Sequence, residues 1–95
     1  MNEEVAYTLI DAELRRLRGL PYAELIQMVA MPETKQVIGE DGNSYQIEIE
    51  VIRDIDSSDD VRVIVSADDD GWRVFMPLTR DFIMRPDGSI LSSGD

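Results

Sequence analysis

At Pro32 the hydrophobic pattern of this chain changes period, from spacings of three and four to alternation, and that switch confines it to a helical segment followed by a sheet. Before the switch, Ala6, Ile10, Leu14 and Leu17 mark one stripe of a helix over Glu3 to Arg18, broadened by Val5 and Leu9. Glu3 and Glu4 at its start and Arg15, Arg16 and Arg18 at its end complement the helix dipole. Asn2 is placed to cap it, and Gly19 to end it in a left-handed conformation. Pro21 suits the first turn of a second helix, with Tyr22, Leu25, Ile26 and Val29 as its stripe and Pro32 as its stop.

After Pro32 the residues read as strands. Thr34 to Ile38 is a short one, and Gly39-Glu40-Asp41-Gly42 turns the chain into Ser44 to Ile52. There Tyr45, Ile47, Ile49 and Val51 alternate with Gln46, Glu48 and Glu50. A third strand carries Val61, Val63 and Val65, and Asp68-Asp69-Asp70-Gly71 turns into a fourth over Trp72 to Met76, ended by Pro77. Asp81 to Ile83 and a turn at Pro86-Asp87-Gly88 remain for the tail. The pattern predicts an α+β domain in which two N-terminal helices pack on one face of a four-stranded antiparallel meander. A cystatin-like arrangement, with a more curved sheet wrapping the first helix, is the alternative. Residues 1–95 form one domain, with helices within 3–31, the sheet within 34–78 and a C-terminal turn and tail over 79–95.

Keeping the apolar faces together predicts Val51 opposite Val61, Ile49 opposite Val63 and Ile47 opposite Val65, then Val65 opposite Val74 and Val63 opposite Met76. Trp72 falls on this inner face as a core anchor. On the outer face the same register sets Glu50 opposite Arg62, Arg73 opposite Ser66, and Phe75 beside Ile64.

Twenty acidic residues against nine basic give a net charge of −11, which disfavours nucleic acid backbones and anionic membranes as partners. The chain contains no cysteine and no histidine, so thiol chemistry, Cys/His zinc sites and imidazole bases are excluded. The acidic first residues and the lack of a long apolar run point to a cytoplasmic protein.

Candidate sites are correspondingly few. Glu48 and Glu50 share a strand face but read as a solvated charge ladder with Arg62 and Arg73, because a working acid requires burial to shift its pKa. Asp54, Asp56, Asp59 and Asp60 cluster in one connection and Asp68, Asp69 and Asp70 in another, without EF-hand spacing and at opposite ends of the sheet. No metal and no cofactor is expected. An apolar pair, Ile64 and Phe75, on an otherwise charged face suggests a contact surface. The outer-face set Ile64, Phe75, Arg62, Arg73, Glu48 and Glu50 is therefore the candidate binding site of a non-enzymatic interaction module. A protein partner or self-association is implied, and an acidic inhibitor or immunity-type protein is the sharper form of the idea. The competing class is a small carboxylate-based enzyme or ligand-binding domain.

Tyr45-Gln46-Ile47-Glu48-Ile49, Gly71-Trp72-Arg73, Phe75, Pro77-Leu78-Thr79, Asp81-Phe82-Ile83 and Pro86-Asp87-Gly88-Ser89 together resemble a group of small bacterial proteins of unknown function. The resemblance covers nearly the whole chain and implies helices first and a sheet after. It implies no activity, substrate or cofactor.

Overall fold

Asn2 opens the fold as a helix cap, its side-chain oxygen accepting the Val5 N–H at 3.2 Å, in a computed structural model that describes residues 2–54, 59–69 and 77–91. Helix α1 (Glu3–Arg18) buries Val5, Ala6, Ile10, Leu14 and Leu17, the stripe read from the spacing. Its end differs from the left-handed glycine expected. Gly19 stays right-handed at φ −82°, because its N–H reaches Arg16 O at 3.2 Å and the Leu20 N–H reaches Leu17 O at 3.1 Å, tightening the last turn without reversing the chain.

Helix α2 (Tyr22–Gln27) is shorter than the stripe implies, and Pro21 stands just ahead of it with extended ψ rather than inside its first turn. The sheet takes Val29, which bridges to Val51 in parallel fashion, so the chain unwinds through Ala30 at φ 65° before it reaches Pro32. The Tyr22 hydroxyl donates to the Asp59 carbonyl and ties α2 to the loop ahead of the third strand.

Among the described residues five strands follow: β1 (Glu33–Ile38), β2 (Ser44–Arg53), β3 (Val61–Asp68), β4 (Leu78–Met84) and β5 (Ile90–Leu91), antiparallel and adjacent in chain order. The four-stranded expectation is thus corrected, and the sheet runs on to Leu91 instead of stopping near Leu78. The segment Trp72 to Met76, with Arg73 and Phe75, lies outside the described residues. The second neighbour of β3 is β4, which sets Val63 opposite Phe82 and Val65 opposite Arg80 in place of Met76 and Val74. Phe82 and Met84 supply the buried groups that this pairing needs, and both are almost fully enclosed.

Between β2 and β3 the faces agree with the alternation but the register does not. Val51 pairs with Val63, Ile49 with Val65 and Ile47 with Ala67, a slide of two residues from expectation. A slide of two leaves every side chain on its face, so hydrophobic pattern alone does not resist it. The connection resists it: the Asp54 N–H donates to Asp60 O at 2.9 Å and closes the hairpin at that pair.

Tyr45, Ile47, Ile49, Val51, Val61, Val63, Val65, Ala67, Phe82 and Met84 make the inner face, and α1 lies across it over β3 and β4. Each such aliphatic side chain contributes about 1.5–3 kcal/mol by leaving water. Charged groups stitch the helix to both sides of the sheet. From β4, Arg80 Nη1 donates to both Asp11 carboxylate oxygens at 2.8 and 2.9 Å, and its guanidinium sits 4.2 Å from the Tyr7 ring centre. From β1, Lys35 Nζ meets Glu13 Oε1 at 2.9 Å, which Arg16 also reaches at 3.0 Å. Burial pushes the Glu13 carboxyl upward, but its hydrogen bonds to Lys35 and Arg16 outweigh this and hold it below the ordinary value. Among the described residues, no helix is long and apolar enough to cross a membrane.

Candidate protein-interaction face

Because α1 occupies the inner face, the even-numbered residues of β2 and β3 are left on the other side of the sheet. One row across it reads Ile52, Arg62, Ile83 and Leu91, and the next reads Glu50, Ile64 and Asp81. A third reads Thr34, Glu48, Ser66 and Thr79, with the Ser66 and Thr79 hydroxyls 3.2 Å apart.

These rows bring Ile64, Arg62, Glu48 and Glu50 onto one surface, while Phe75 and Arg73 lie outside the described residues. The neighbours differ from those expected. Glu50 stands opposite Ile64 rather than Arg62, Ser66 has Thr79 rather than Arg73 on its β4 side, and Ile64 has Asp81 there rather than Phe75. The two-residue slide of β3 accounts for the first change, and the arrival of β4 as its neighbour for the other two. Arg62 pairs with Asp81 diagonally across β3 and β4, so its charge is spent within the sheet rather than on Glu50.

The structure adds three residues that the sequence reading did not single out. Ile52 (39% exposed) and Leu91 (36% exposed) flank the row in which Ile83 is half-buried, and Ile64 sits one row away. Ile52 was within reach, since it ends the same alternation that put Glu48 and Glu50 outward. Ile83 and Leu91 depend on strands that the alternation did not reveal. At the other end of this face, Gln46, Glu48, Ser66, Asp68 and Pro77 line an open depression of about 190 Å3. The face thus divides into an apolar end around a neutralised arginine and a polar, acidic end.

The acidic connections occupy opposite ends of β3, with Asp54, Asp59 and Asp60 before it and Asp68, its last residue, and Asp69 at its far end. Among the described residues, no three or more carboxylates converge as a metal cage would require. No family model, curated protein or solved structure matches the chain.

Proposed function

We propose that this chain is a small acidic protein-interaction module that receives a basic, partly apolar protein surface on the outer face of its sheet. The observation that carries this reading is the cluster of Ile52, Ile64, Ile83 and Leu91 around the Arg62–Asp81 pair, bordered by Glu50. Covering such a cluster gains about 25 cal/mol per Å2 of apolar surface removed from water. The net charge of −11 would steer a cationic partner toward it and speed the encounter. An acidic inhibitor or immunity-type protein, acting in the cytoplasm on a partner with a basic site, is the form that best uses both features. The resemblance to small bacterial proteins of unknown function is compatible with this and adds no activity.

The test is capture of partners from the source lysate on the immobilised chain at low and high salt, beside an Ile64→Ser chain. A basic protein held near one-to-one, released by salt and lost with Ile64→Ser is the expected result. Equal retention by both chains would remove the apolar cluster from the proposal. The competing reading, a carboxylate-based enzyme or ligand-binding domain, draws on the depression beside Glu48 and Asp68. Ligand-dependent shifts confined to that end of the sheet would favour it.

A further inference from the structure

The two outermost strands of the sheet are unequal, since β5 has two residues and β1 has six. An unpaired edge of six residues is a template for another strand. Its polarity follows from the first hairpin, where the Gly39 N–H donates to Asn43 O at 2.8 Å. With the observed register, Glu33, Lys35 and Val37 therefore direct their backbone groups at β2, and Thr34, Gln36 and Ile38 direct theirs outward. Among the described residues, no strand lies beyond them.

We propose that two copies of this chain pair antiparallel along β1, with Gln36 opposite the second copy's Gln36, joining the two sheets into one. Symmetric pairing restricts the registers, and side chains choose among them. Centring on Lys35 sets ammonium against ammonium. Centring on Val37 carries Glu33 against the Glu40–Asp41 turn of the other copy, and centring on Thr34 sets Pro32, which has no N–H, opposite Gln36. Centring on Gln36 uses all three outward residues and forms about six backbone hydrogen bonds. It also sets Thr34 against Ile38, which is 67% exposed in the single chain, and Lys35 against Val37.

Charge does not oppose pairing at this edge. β1 holds one acid and one base in a chain of net charge −11, so the strand itself adds no net charge to the repulsion between two copies. Lys35 is no guard against such pairing, because its ammonium is drawn to Glu13 on the helix side of the sheet. The pairing is separate from the outer-face reading and responds oppositely to salt. Screening weakens an acidic face's hold on a basic partner but relieves repulsion between two like-charged copies.

Because the chain has no cysteine, a single Gln36→Cys substitution reports the pairing directly. Residues facing each other in a hydrogen-bonded antiparallel pair have Cα atoms about 5.5 Å apart, within disulfide reach. Under mild oxidation, Gln36→Cys is expected to cross-link several-fold faster than Thr79→Cys, an exposed outer-face control, and the gap to widen as ionic strength rises from about 0.01 to 0.15 M. Gln36→Pro removes only an outward N–H, so it should keep the melting temperature and lose the dimer seen by sedimentation of the unmodified chain. Equal cross-linking at the two positions, faster cross-linking at Thr79, or an unmodified chain that stays monomeric at all concentrations would each overturn the proposal. Ile64→Ser should leave cross-linking at Gln36→Cys unchanged, so loss of one reading does not carry away the other.

Discussion

Two turns in this molecule share one backbone design and differ in what surrounds them. Gly39-Glu40-Asp41-Gly42-Asn43 joins β1 to β2, and Arg85-Pro86-Asp87-Gly88-Ser89 joins β4 to β5. In each, the fourth residue is a left-handed glycine, at φ 82° and φ 88°, whose N–H donates to the first residue's carbonyl at 2.9 and 2.8 Å. In each, the aspartate accepts the fifth residue's N–H, at 3.2 Å for Asp41 and 2.9 Å for Asp87. The difference is that the first turn is packed and the second is not. Gly39 is buried, and Asp41 also receives the hydroxyl of the enclosed Tyr45 at 2.6 Å, whereas Arg85 is exposed and Asp87 receives the exposed Ser89 hydroxyl at 2.7 Å. Local chemistry makes a turn of this kind, and packing decides how much of the fold depends on it.

The sharpest way to break the comparison is at the first position. A Cβ on Gly39 would lie 2.7 Å from Val5 Cγ1, 2.8 Å from Tyr45 Cε1 and 2.7 Å from Asp41 Oδ1. Gly39→Ala should cost about 3 kcal/mol, the upper part of the usual overpacking range, while Arg85→Ala should stay within about 0.5 kcal/mol in thermal melts. Gly42→Ala and Gly88→Ala should instead cost the same, about 1–2 kcal/mol each, because both meet open space and pay only for positive φ. Unequal costs would mean that the two backbones are not equivalent.

Tyr45→Phe should lower the melting temperature by less than Gly39→Ala, since it removes the hydroxyl from Asp41 but leaves the ring in place. The smallest effect is in acid. Both carboxyls are held below the ordinary value of 3.8, Asp41 first by the Tyr45 hydroxyl and Asp87 first by the Ser89 hydroxyl. A depressed carboxyl stabilises above its unfolded pKa and loses that contribution as pH falls through its folded pKa. Asp41→Asn and Asp87→Asn should each shallow the loss of stability below about pH 4, and acid titration of the melting temperature would show it.

The hydrophobic period made α1, the helix-to-sheet boundary and the inner faces of β2 and β3 legible, because each rests on side chains that repeat on one face. It did not make the pairings legible. Alternation has period two, so it leaves a two-residue slide undetermined, and the hydrogen bond between Asp54 and Asp60 settles it in three dimensions. β4 escaped for a related reason: Arg80 occupies an inner-face position between Leu78 and Phe82, and its acceptability there depends on Asp11 and Tyr7, which belong to the helix. The outer face was recognised through Ile64, Arg62, Glu48 and Glu50, yet its apolar end rests on Ile83 and Leu91, whose strands the alternation did not reveal.

The contact between Arg80 and Asp11 spans 69 positions and has a consequence for synthesis. As the chain leaves the ribosome, α1 emerges well ahead of its platform, β3 and β4. Its stripe of Ile10, Leu14 and Leu17 must remain uncovered, or find temporary cover, until those strands follow. Glu3, Glu4, Arg15, Arg16 and Arg18, all exposed on α1, favour water around that waiting helix.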